Sequence, residues 1–121
     1  MRRDQRSPGR AAGGGLDDVG AADGDRVAPE LVPRAVTAGH LVFADGATQV
    51  FDAAGTTTYV EHGRRTEGEW YVDDDGCFAS FWPPGYRARY ELRWIVEDGA
   101  IAGLRFVELG RDARFDGRYT T

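Results

Sequence analysis

The stretch Tyr86-Arg87-Ala88-Arg89-Tyr90-Glu91-Leu92-Arg93-Trp94-Ile95-Val96-Glu97 alternates apolar with charged residues and then runs into Asp98-Gly99. Successive side chains of a strand point to opposite faces. Tyr86, Ala88, Tyr90, Leu92 and Trp94 therefore share one face, and Arg87, Arg89, Glu91 and Arg93 share the other. The first set belongs in an apolar interior and the second in water. A strand with one apolar face needs partners, and Asp-Gly is a favoured pair for a tight hairpin.

Outward from this strand the same punctuation recurs. Gly46, Gly55, Gly63, Gly76, Gly85, Gly99 and Gly110 each follow a turn-compatible residue and cut the chain from Thr37 onward into eight short segments rich in aromatic and β-branched residues. The expected strands are Thr37 to Ala44, Ala47 to Ala53, Thr56 to Glu61, Arg64 to Val72, Cys77 to Trp82, Tyr86 to Glu97, Ala100 to Leu109 and Arg111 to Tyr119. Asp45-Gly46 reads as a two-residue hairpin, and Pro83-Pro84-Gly85 as a stop, because proline cannot donate to a sheet ladder. Gly39, Gly68, Gly103 and Gly117 fall inside expected strands, where glycine marks a bend or a bulge. Turns plus bends are what a short sheet needs to curl shut. The fold class is all-β: an eight-stranded antiparallel up-and-down meander closed into a small barrel. Such a barrel either fills with side chains or holds one small ligand.

Composition divides the chain. All Phe, Tyr and Trp lie between Phe43 and Tyr119, whereas residues 1–36 are mostly Gly, Ala, Asp, Arg and Pro. So little apolar surface cannot offset ordering entropy, and residues 1–36 read as a disordered tail ahead of one domain, 37–121. Arg2, Arg3, Arg6 and Arg10 are not followed by an apolar stretch, as a secretory signal requires, and Asp4, Asp17, Asp18, Asp23 and Asp25 argue against an organellar presequence. The reading is a cytoplasmic protein with no membrane partner. The net charge of −5 makes nucleic acid a poor partner, since phosphate backbones are bound by excess positive charge. Lysine is absent, which excludes Schiff-base chemistry on a lysine, and the lone Cys77 has no disulfide or metal-site partner. No cofactor or metal motif is present. A half-barrel completed by a second subunit, a homodimer, stays open at this level.

The triplet Gly68-Glu69-Trp70 within an eight-strand meander resembles the calycin-like barrels: the lipocalin and fatty-acid-binding group and shorter bacterial MoaF-like proteins. The resemblance covers Thr37 to Thr121 and implies a barrel that binds a small apolar or aromatic molecule, with some members acting as enzymes. In lipocalins the triplet lies near the first strand, whereas here it falls in the fourth. No binding residue is carried over.

The residues themselves suggest a ligand-binding wall of Trp70, Tyr90 and Trp94 with Phe81 or Trp82, since large rings supply flat contact area and their polar atoms orient a ligand. Arg105 interrupts an apolar run and shares a parity with Ile101 and Val107. Aimed inward, its planar fork would hold a carboxylate. Acid–base candidates are His40, Glu61, His62, Glu69 and Tyr90, which would suit a cyclase, isomerase or decarboxylase. Asp73-Asp74-Asp75-Gly76 lacks the alternating ligands of a calcium loop and reads as a turn. A solid barrel acting through an exposed patch at Phe81, Trp82 and Pro83 is the remaining expectation.

Overall fold

The structure is a computed structural model that describes residues 15–120. Eight antiparallel strands pair in sequence order and close: β1 (His40–Phe43), β2 (Thr48–Phe51), β3 (Thr56–Glu61), β4 (Arg64–Val72), β5 (Phe78–Trp82), β6 (Tyr86–Glu97), β7 (Ala100–Glu108) and β8 (Arg114–Thr120). Closure is made by β1 against β8, with Leu41 opposite Tyr119 and Phe43 opposite Gly117. The third, fourth and sixth strands start and end where the alternation places them. Others are shorter, because the turns take more residues than a two-residue hairpin.

The turn chemistry explains the difference. His62-Gly63 and Asp98-Gly99 have positive φ at both positions, the two-residue turn whose twist matches its strands. Asp45-Gly46 does not behave so. Only Gly46 has positive φ there, Gly46 N–H donates to the Phe43 carbonyl and Phe43 N–H to the Ala47 carbonyl, which makes a longer loop. The loops from Asp52 to Thr56 and from Asp73 to Cys77 repeat this pattern of backbone bonds. In the latter, Asp73 Oδ1 accepts the N–H groups of Asp75 and Cys77, and Arg89 binds the Asp73 and Asp75 carboxylates at 2.7 and 3.0 Å. The acidic run is a turn tied to β6. Arg89 holds the Asp73 carboxyl below the usual carboxylate range.

The expected tail requires correction. Residues 1–14 lie outside the described residues, but residues 15–37 pack on the barrel. Leu16 and Val27 are buried, a single 3-10 turn spans Pro29–Leu31, and a short helix, α1 (Val32–Thr37), buries Val32, Ala35 and Val36. The reason lies in unequal strand lengths. β5 pairs only with Tyr86 to Tyr90 of β6, so the same edge of β6 from Leu92 onward lacks a strand partner. Unpaired backbone groups on such an edge are costly when shielded from water. Residues 23–27 supply the partners: Val27 N–H donates to Leu92 O, Gly24 N–H to Trp94 O, Trp94 N–H to Asp25 O, and Val96 N–H to the Asp23 carboxylate. Arg93 reaches back to the Gly24 carbonyl at 2.8 Å.

The segment then crosses the barrel end that carries the turns at 52–55, 73–76 and 98–99. Pro29 packs on Gly76, and the Tyr119 phenol, held above its ordinary pKa by burial, donates to the Ala35 carbonyl at 2.6 Å. One end of the barrel is therefore plugged. The core beneath contains Leu41, Phe51, Trp70, Leu92, Trp94 and Leu104.

Candidate functional site

The other half of the barrel is hollow. A cavity of about 630 Å³ extends inward from the end carrying the loops after β1, β3 and β7. That volume is typical of small-molecule sites, about 300–1,000 Å³. Its wall is aromatic: Phe43, Tyr59, Phe78, Trp82, Tyr90 and Phe106 all line it. They form one connected set of tilted and edge-on contacts, from Tyr59 with Trp82 at 6.3 Å to Phe78 with Phe106 at 5.6 Å and Tyr90 with Phe106 at 6.0 Å. Each comes from a strand position on the inward parity, so the rings are held by rigid elements. Phe51 stacks beneath Phe106 at 6.3 Å and joins the wall to the packed half.

Space for Trp82 is made by Gly68. A Cβ at Gly68 would lie 2.6 and 2.9 Å from two carbons of the Trp82 ring and 2.7 Å from the Phe81 carbonyl oxygen. The ring thus lies flat where any side chain would stand. Gly68→Ala is expected to push Trp82 toward the lumen and cost about 1–3 kcal/mol. Thermal melting and a changed tryptophan emission spectrum check it, and an unchanged spectrum would contradict the placement.

In the depth of the cavity polar groups are few. Gln49, 9% exposed, lines the cavity and donates from its amide to Thr57 Oγ1 at 3.0 Å, while that hydroxyl donates to the Val50 carbonyl. Ser80 lines it from β5 and is 3% exposed. Ser80 eases the Tyr90 pKa down a little, yet no polar atom meets its Oγ with hydrogen-bond geometry. Burial, reinforced by the Glu108 charge, pushes the Tyr90 phenol up to about 12. Toward the mouth the lining turns polar, with Asp45, Glu61, Thr66, Arg114 and Asp116. Burial raises the Tyr59 pKa, with help from the charges of Glu61 and Asp45.

Of the residues singled out in the sequence, Tyr90, Trp82 and Glu61 line the cavity and Trp70, Trp94, Phe81 and Arg105 do not. Trp70 and Trp94 do face inward, but they sit in the plugged half. Trp94 is 2% exposed, and Trp70 donates from its indole to the Asp52 carbonyl at 2.9 Å. Phe81 takes the outer face of β5, with the Arg87 guanidinium 4.3 Å above its ring. Its neighbour Trp82 is the one that enters the lumen. Arg105 also points outward and forms a two-pronged ion pair with Asp116, at 2.7 and 2.8 Å. The pair depresses the Asp116 carboxyl and raises the Arg105 guanidinium. The inward parity of β7 is that of Leu104, Phe106 and Glu108, all buried. His40 and Glu69 are exposed, and His62 sits in the turn after β3.

Among the wall residues missed by the sequence reading were Phe43, Gln49, Tyr59, Phe78, Ser80 and Phe106. Their signal was alternation on strands flanking β6, read together with their distance from the open end. Among the described residues no helix is long and apolar enough to cross a membrane, and no cluster of His, Cys, Asp or Glu could hold a metal ion. No family model, curated protein or solved structure matches the chain.

Proposed function

We propose that this barrel binds a small aromatic or apolar molecule in its open half, in the manner of calycin-like carriers. The observation that supports the reading is a cavity of about 630 Å³ walled by rings from five strands, beside a second half occupied by a buried apolar core. A barrel needing only a core would be filled along its whole length, because unfilled space forfeits dispersion contacts and costs stability. Binding is favoured over acid–base catalysis because neither histidine lines the cavity, and of the acid–base candidates that do, Tyr90 has its phenol held protonated by burial and Glu61 stands exposed at the mouth, away from the enclosed aromatic wall.

The test uses Trp82, the one tryptophan on the cavity wall. Titration with naphthalene- and indole-sized compounds is expected to quench tryptophan emission, and Trp82→Phe should remove most of that change while Trp70 and Trp94 remain. Quenching that survives unaltered in Trp82→Phe, or no quenching by any compound together with no retained mass in native mass spectrometry, would sink the reading.

A further inference from the structure

The wall of this cavity carries one feature that stability alone does not explain. Ser80 is 97% withdrawn from solvent by its 3% exposure, sits in the middle of β5 between Trp70 and Ala88, and its hydroxyl has no hydrogen-bond partner. A buried hydroxyl left unsatisfied costs about 1–3 kcal/mol relative to a paired one. Alanine fits the same strand position with no such cost, and alanines flank it at Ala79 and opposite it at Ala88. The ladder bonds of β5 are made by its backbone, and the Tyr90 phenol, near enough for its pKa to be eased down by Ser80, does not meet the hydroxyl with hydrogen-bond geometry.

Ser80 also faces the lumen. It lines the cavity together with Tyr90, whose phenol stays protonated at neutral pH, and with Gln49, whose amide nitrogen is already committed to Thr57. Two hydroxyls able to donate therefore share one region of an otherwise aromatic wall. The guanidinium on the lining, Arg114, is exposed, and at Tyr90, beside Ser80, the Glu108 carboxylate outweighs the Arg111 guanidinium, so a buried anion would meet no net positive charge there. A carboxylate drawn to that depth would be desolvated without a counter-charge, which is strongly unfavourable. A neutral oxygen is not.

We infer that Ser80 is a ligand-binding residue whose hydroxyl, turned into the lumen, donates to a neutral carbonyl oxygen on an aromatic ligand, and that it is the position selecting such compounds over hydrocarbons of the same shape. The inference rests on the binding reading above. Occupation of the cavity requires the hydroxyl to rotate about one side-chain bond, and the ligand then satisfies a group the empty barrel leaves unpaired. Serine here works against the stability of the empty protein and for recognition of a ligand.

The experiment compares three probes by isothermal titration calorimetry on the full chain: 2-acetylnaphthalene, 2-isopropenylnaphthalene, in which a methylene replaces the carbonyl oxygen, and 2-naphthoate. The acetyl compound is expected to bind at least about tenfold more tightly than the isopropenyl compound, the equivalent of one hydrogen bond. Naphthoate should be the weakest. In Ser80→Ala the tenfold gap should close, while the melting temperature stays level or rises. Equal affinities in the native protein, a gap that persists in Ser80→Ala, or a Ser80→Ala protein that is less stable would each overturn the assignment while leaving an apolar pocket in place. Failure of all three probes to bind would count against the pocket itself as well as Ser80.

Discussion

A chain reduced to residues 38–121, the barrel without its preceding segment, is expected to lose cooperative folding. The segment covers one end of the barrel with Leu16, Val27, Val32 and Val36, each no more than 3% exposed. Burying four such side chains contributes roughly 6–12 kcal/mol as an upper bound at about 1.5–3 kcal/mol each. Ordering the segment offsets part of this, but its removal also leaves defects behind. The β6 edge at Leu92, Trp94 and Val96 loses its partners, the Tyr119 phenol loses the Ala35 carbonyl, and an apolar floor is opened to water. Against a total stability of about 5–15 kcal/mol for a domain this size, such losses are decisive. Circular dichroism melting should show no sharp transition, with aggregation through the exposed edge. A truncated chain that melts cooperatively within about 5 °C of the parent, less than roughly 1 kcal/mol, would refute it. Val27→Asp in the full chain is the milder version, placing a charge where Val27 is 1% exposed. It should lower the melting temperature sharply without removing any backbone.

That segment also shows where sequence reading stops. Its apolar residues are scattered singly among Gly, Ala and Asp, so average composition describes a solvated tail. The helical spacing of Val32, Ala35 and Val36 is real, but α1 has only six residues and no hydrogen-bonded side-chain cap at its N-terminus. An isolated helix so short is not stable in water, and what holds it is the barrel end it covers. No local signal could reveal a partner that is a mismatch between strand lengths far along the chain.

Within the barrel the legible and illegible parts separate along different directions. Alternation fixes which face a side chain takes, and on β6 it placed Tyr90, Leu92 and Trp94 inward correctly. It carries no information on height along the barrel axis. Tyr90 and Trp94 share a face two alternation periods apart, yet one walls a cavity and the other lies under a plug. Height follows from register and from which end is covered, and both depend on residues outside the strand. Arg105 illustrates the converse. Its parity also carries Ile101 and Val107, yet it faces outward to pair with Asp116 directly across the sheet, past a register shift opposite Ile95 and Val96 that the sequence does not mark.

Gly103→Ala is expected to be among the most damaging single substitutions in the barrel. A Cβ at this position would lie 2.0 Å from the Gly117 carbonyl oxygen, 2.9 Å from the Arg118 Cα and 3.0 Å from the Gly117 carbonyl carbon. All three are backbone atoms of β8, so no side chain can swing aside, and relief demands that two paired strands separate. β8 cannot retreat freely either, because its other edge is bonded to β1 and closes the barrel. The glycine on β8 is constrained in turn: a Cβ at Gly117 would stand 3.0 Å from the ring of Phe43, a cavity-wall residue. A shift in β8 therefore propagates to the cavity wall. The expected loss is about 3 kcal/mol or more, the range reserved for severe overpacking. At about 4–8 °C per kcal/mol, the melting temperature should fall by more than roughly 12 °C. Gly85→Ala provides the contrast, since a Cβ there meets nothing within 4 Å and Gly85 has no positive φ. That variant should melt with the parent or slightly above it, because alanine restricts the unfolded chain. If Gly103→Ala melts like Gly85→Ala, β7 and β8 do not approach as closely as described, and Phe43 loses the constraint that sets it against the cavity.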